Sequence, residues 1–218
     1  MAQIFHPSMK VISRASIVAA LILVAAGGWI AAEVYRSGYQ TNVNVPREQA
    51  VPFSHEHHVN GLGISCAYCH TFAERSSFAG IPPTHTCMTC HSQIWNTSPM
   101  LEPVRTSYAT QRPLQWVRVH DLADFAYFNH SIHIAKGMGC STCHGSVNLM
   151  PLTWKTHSLA MEWCLECHRQ PEKYIRPRDE VYNMSYSPPE DQASFGKALA
   201  RQYNIQSTRL TDCSICHR

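Results

Sequence analysis

Ten cysteines in a chain of 218 residues fall into five copies of one spacing. Cys66-Ala-Tyr-Cys69-His70, Cys87-Met-Thr-Cys90-His91, Cys140-Ser-Thr-Cys143-His144, Cys164-Leu-Glu-Cys167-His168 and Cys213-Ser-Ile-Cys216-His217 use every cysteine and leave none over. Two thiols separated by two residues can form thioethers to the two vinyl groups of one porphyrin, and the adjoining histidine then lies beneath the iron as its proximal ligand. A disulfide framework or zinc fingers would ordinarily account for so many cysteines, but neither requires a histidine after every pair. The motifs therefore predict five covalently attached haem c groups. Attachment of this kind takes place outside the cytoplasm, so the motifs are expected to face the periplasm or an equivalent exterior space.

Fourteen histidines are present, and nine lie outside the motifs: His6, His55, His57, His58, His85, His120, His130, His133 and His157. Two sets of these repeat. Phe53-Ser-His55-Glu-His57-His58 precedes the first motif and Phe128-Asn-His130-Ser-Ile-His133 precedes the third, both reading F-x-H-x-x-H. A second motif follows in each half, with His85 and His157 just ahead of it, which suggests an internal duplication. The fifth motif extends the second copy, giving two haems and then three. His57 is out of phase with the pattern and is expected at the surface. His85 is a candidate distal ligand for a haem other than its neighbour's. His120 is either a ligand or a hydrogen-bond partner of a propionate. Met184 is a further candidate, since a sulfur ligand would raise the potential of its haem, although most methionines only fill space.

Residues 15–32 carry no charge and reach the length needed to cross a bilayer. Lys10 and Arg14 precede them, so the positive-inside rule keeps the N-terminus cytoplasmic. The expected organisation is a cytoplasmic segment at 1–14, a single transmembrane signal anchor at 15–35, a first haem unit at 36–95, a linker at 96–127 and a second haem unit at 128–218. Ala15, Ala19, Gly27 and Ala31 share one ridge of the span; they either admit a second membrane helix or reflect the ordinary composition of such segments. Prolines mark 96–113 and 176–191 as loops, and 193–205 reads as a short helix. Too little polypeptide follows the anchor to bury five macrocycles. The expected fold is mostly irregular, with short α-helices and a core dominated by cofactor. The formal charge of +3 is modest and does not point to nucleic acid.

The F-x-H-x-x-H unit ahead of a Cys-x-x-Cys-His resembles the small tri-haem cytochromes and their larger multihaem relatives. That resemblance implies that the first histidine of each pair serves the haem attached just after it and the second reaches a neighbouring haem. It assigns His55 to the haem of His70, His130 to that of His144, His58 to that of His91, His133 to that of His168 and His157 to that of His217.

More of the chain, including "FSHEHHVNGLGISCAYCH", "THTCMTCH", "WVRVHDLADFAYFNHSIH" and "DCSICHR", resembles the pentahaem cytochrome c subunit of alternative complex III. More broadly it resembles the multihaem cytochrome c subunits of quinone-linked membrane complexes. In "VHDLADF", Ala123 stands where that family would have proline. The resemblance implies an electron-relaying subunit of a quinol:electron acceptor oxidoreductase in the bacterial inner membrane. Its partners would be an integral membrane quinol-oxidising subunit, an iron–sulfur subunit and a mono-haem cytochrome c or soluble periplasmic acceptor. The subunit would not be catalytic on its own. The competing reading is a multihaem reductase of a small oxyanion with one open iron, which needs a vacant axial position and proton donors beside it.

Overall fold

The uncharged N-terminal stretch continues as helix well past its own limits. In a computed structural model, which describes residues 4–217, helix α1 runs from Ser8 to Arg36. It spans 29 residues, roughly 43 Å at the α-helical rise. That is ample for a hydrocarbon layer of about 30 Å, and the mean hydropathy of its most apolar window is 2.2. No residue of α1 is buried. The helix starts before residue 15 because Lys10, Ser13 and Arg14 are compatible with helix even where they are unsuited to lipid. A short helix α2, Gly38–Thr41, follows and ends at Asn42 in the left-handed conformation. Residues Met1–Val43 form one compact unit and Asn44–Arg218 another. Residues 1–3 of the N-terminal segment and Arg218, which follows the final motif, lie outside the described residues.

Within the second unit every Cys-x-x-Cys pair occupies a turn of helix: α3 (Cys66–Cys69), α4 (Thr84–His91), α7 (Cys140–His144), α8 (Met161–Arg169) and α10 (Cys213–Cys216). Residues three apart on a helix share a face, so this local geometry aims both thiols the same way. An extended residue precedes each of these helices: Ser65, Pro83, Gly139, Ala160 and Asp212. Each helix therefore starts abruptly at or shortly before its first thiol.

The remaining helices brace these turns. The proline-rich stretch expected to be a loop contains helix α5, Glu102–Thr110. Pro103 sits in its first turn, where a missing N–H costs nothing, and the Arg105–Glu102 ion pair at 2.6 Å closes that turn. Helix α5 is tied to α4 by a Thr84–Ser107 hydroxyl contact of 2.7 Å, and the Ser107 hydroxyl also donates to the Arg112 carbonyl at 2.6 Å. Helix α6, His130–Ala135, is capped by Asn129, whose side chain accepts from the Ser131 N–H. Helix α9, Gln192–Gln202, is the one anticipated near 193–205 and is capped by Asp191. It packs on the turn Pro171–Lys173 so closely that a Cβ on Gly196 would fall inside contact distance of the Glu172 carbonyl.

No strand forms among the described residues; an isolated antiparallel bridge joins Met138 to Ile175. The buried apolar residues among them are Val51, Ala73, Val104, Met150, Ile175, Val181, Leu199 and Tyr203. Only Ile175, Leu199 and Tyr203 gather into a cluster, with Met138, Ala200 and Ile205 packed around it. Chains of this size normally bury far more. The fold is helical and irregular, with little apolar core of its own.

Candidate haem sites

All ten cysteines are free thiols. Burial raises several of them: Cys143 to about 12, and Cys140 and Cys167 to about 11. Among the described residues no three His, Cys, Asp or Glu side chains converge as a bare metal ion would require. The thiols are paired but not clustered, which suits two thioether bonds to one planar group and not a tetrahedral thiolate site.

The imidazoles are oriented with equal specificity. Nδ1 of His70 donates to the Gly80 carbonyl at 2.7 Å, that of His91 to Ile94 at 3.2 Å, that of His168 to Leu210 at 2.8 Å and that of His217 to Phe125 at 3.0 Å. A carbonyl can only accept, so Nδ1 carries the proton and the Nε2 lone pair is left for a metal. Three histidines outside the motifs follow the same rule: His58 donates to Ser54 at 2.8 Å, His130 to Ser77 at 2.8 Å and His133 to Asn129 at 2.7 Å. His55 Nδ1 instead meets the Thr153 hydroxyl at 3.1 Å.

Three of these rings face a motif histidine across a nearly constant gap. Ring centres are 6.2 Å apart for His58 and His91, 6.4 Å for His130 and His144, and 6.1 Å for His133 and His168. Two axial bonds of about 2 Å, plus the offset of each nitrogen from its ring centre, put bis-histidine ligands ~6 Å apart. The residues present therefore fit haem on chemistry, tautomer and spacing together.

The phenylalanine of the repeated pattern does the same thing twice. Phe53 stacks on His58 at 4.4 Å and meets His55 edge-on at 4.9 Å. Phe128 stacks on His133 at 4.5 Å and meets His130 edge-on at 4.7 Å. One ring thus fixes the orientation of two imidazoles.

The other candidates are placed less uniformly. Burial lowers His55 to about 4, with the nearby His70 adding to the effect. Burial likewise takes His144 to about 3. His120 lies 4.2 Å from the His144 ring with its Nε2 buried and unpaired. His57 is exposed and stacks on Trp95 at 5.8 Å. His85 is exposed beside Tyr108 at 6.2 Å, and His157 stacks on Trp163 at 4.8 Å. Met184 is half-buried in a turn.

The two copies of the pattern hold each other's histidines. The Ser77 carbonyl, in the first copy, accepts from both the backbone N–H and Nδ1 of His130, at 3.2 and 2.8 Å, while Ser76 accepts from the Ser131 N–H. In return, the second copy supplies Thr153 to His55 and the Met150 carbonyl to the Glu56 N–H at 3.1 Å. Ser76, Ser77 and Thr153 carry no signal in the sequence, because their role exists only once distant segments meet.

Residues 126–218 match the family described as cytochrome c7 and related cytochrome c. The chain is also 34% identical over 99 residues to the menaquinone reductase multiheme cytochrome c subunit of Nitratidesulfovibrio vulgaris. That alignment covers 45% of this chain and 46% of the relative, so the chain spans about half of the curated relative it matches.

Proposed function

We propose that this chain is a membrane-anchored pentahaem c-type cytochrome that relays electrons as a subunit of a quinol:electron acceptor oxidoreductase of the alternative complex III kind. The observation that carries the reading is the set of three facing imidazole pairs at 6.1–6.4 Å, each including the histidine of a Cys-x-x-Cys-His turn. Similarity to a multihaem subunit of a menaquinone reductase supports the quinone link.

Each haem is held by its cysteine pair, from Cys66 and Cys69 through Cys213 and Cys216, with His70, His91, His144, His168 and His217 proximal. His58, His130 and His133 are distal to the haems of His91, His144 and His168. His55 serves the haem of His70, and His157 that of His217. When bound, haem supplies a one-electron ferric/ferrous couple. The chain's own part would be to supply the imidazoles, to keep the Nδ1 protons of His58, His70, His91, His130, His133, His168 and His217 on fixed carbonyls so that these rings do not reorganise, and to hold successive haems close. His133 and His58 do the last of these, since each lies three residues from a histidine committed to a different haem. Helix α1 anchors the chain in the inner membrane with residues 44–218 on the periplasmic side. Quinol oxidation belongs to an integral membrane partner, because α1 offers no ionisable group between residues 15 and 32 to take a quinol proton. An iron–sulfur subunit and a mono-haem cytochrome c complete the path.

The test is intact mass and pyridine haemochrome on the purified chain, with native mass measurement after mild detergent extraction. Five haems in a particle containing an integral membrane subunit are expected. Fewer than five haems would overturn the ligand assignment, and a chain extracted alone would overturn the complex.

A further inference from the structure

Arg176 is 7% exposed, and its neighbours are unusual for a buried cation. The three ion pairs among the described residues join Arg105 to Glu102, Arg118 to Asp121 and Arg209 to Asp212, so no carboxylate touches it, and Glu180 acts on it only from beyond ion-pair distance. Its guanidinium instead reaches the two residues between the cysteines of the third motif: Nη2 donates to the Ser141 hydroxyl at 3.1 Å and the Thr142 hydroxyl at 3.4 Å. Nη1 donates to the Asn183 carbonyl at 3.1 Å, the Tyr186 ring covers the other face at 4.5 Å, and Nε has no partner. Space is cleared by glycine, since a Cβ on Gly139, the residue before Cys140, would overlap the guanidinium. The other motifs carry Ala-Tyr, Met-Thr, Leu-Glu and Ser-Ile between their cysteines. Only the third offers two adjacent hydroxyls.

A buried cation without a contacting carboxylate is costly and is retained where its charge or its fork is needed. Here the fork clamps an attachment turn, and the charge sits behind it in a water-poor site. Adding an electron to a haem makes it more negative, so a fixed positive charge nearby favours the reduced form. We propose that Arg176 is a positioning residue for the third haem turn, and that its charge raises the reduction potential of the haem carried by Cys140 and Cys143. This rests on the haem reading above.

The test is a redox titration of the detergent-solubilised holoprotein by dithionite, each haem taking one electron, with five one-electron components fitted to the visible spectrum. Arg176→Gln keeps hydrogen-bonding atoms and removes the charge, while Arg176→Lys keeps the charge and removes the fork. A unit charge about 10 Å away, at an effective dielectric near 20, alters such an equilibrium by about tenfold, ~59 mV for one electron. One component in R176Q should fall by this amount, the other four should hold, and R176K should titrate close to the wild type. All five components unchanged in R176Q, or equal shifts in both variants, would overturn the proposal. If R176Q does not mature, R176K decides the matter: a titration displaced from wild type overturns it. Peptide mass across residues 140–144 of the wild type separates the two levels, because absence of haem there would refute the haem reading itself.

Discussion

Removing the imidazole of His133 should open one iron and leave the other four closed. His133 faces His168 with ring centres 6.1 Å apart and interplanar angle 29°, close to the ~6 Å that two axial bonds require. Its Nδ1 is committed to Asn129 and its ring to Phe128, and these two contacts fix the ring and leave Nε2 for a metal. In His133→Ala the ferrous protein should bind carbon monoxide at one haem in five, and the oxidised protein should show a high-spin EPR signal of the same share. His58→Ala should do the same for the haem of His91, and the double variant should expose two haems, because the sites are separate. His57→Ala is the control. It sits one residue away from His58, stacks on Trp95 and meets the His58 ring edge-on, so it should expose none. Carbon monoxide binding in H57A, or its absence in H133A, would refute the argument from ring separation. The lost packing against Phe128 should cost about 1–3 kcal/mol, which leaves the holoprotein folded for the measurement.

Two further outcomes are expected. Gly196→Ala should destabilise the holoprotein by about 1–3 kcal/mol, lowering the melting temperature by a few degrees in calorimetry, because the obstacle is the Glu172 backbone and cannot rotate away. A raised melting temperature would mean that α9 does not pack on that turn. Acid should also act late: burial holds His55 near 4 and His144 near 3, below the ordinary 6.5, so the unfolded chain takes up protons first. Stability from these neutral rings is complete above pH 6.5 and is lost as pH falls through about 4. Urea unfolding of the holoprotein should show stability falling as pH drops below 6.5; a stability unchanged between pH 7 and pH 4 would contradict their burial.

What the sequence made legible was local. A Cys-x-x-Cys-His turn contains its whole geometry in five residues, and Phe128 reaches both His130 and His133 because all three fall within six residues. Helix α9 was readable for the same reason. Helix α5 was not, since prolines read as breakers unless their position in the first turn is known, and its buried face depends on Ser107 meeting Thr84. Nor was the start of α1 visible in hydropathy, because Lys10 and Arg14 end an apolar run without ending a helix. Least legible were Ser77, Thr153 and Arg176. Each acts on a residue 34 to 98 positions away, and each is of a residue type that is common on any surface.

The exchange of supports between the two copies of the pattern sets a limit on dismemberment. Residues 126–218 resemble a family on their own, and a gene fragment encoding them would keep three complete attachment turns. It would lack Ser76 and Ser77, so α6 would lose three of the hydrogen bonds that seat its first turn and His130 would be free to swing. The front half alone would lose Thr153 in the same way. The two copies of the pattern lean on each other, and a deletion in either should be felt first at an imidazole of the other.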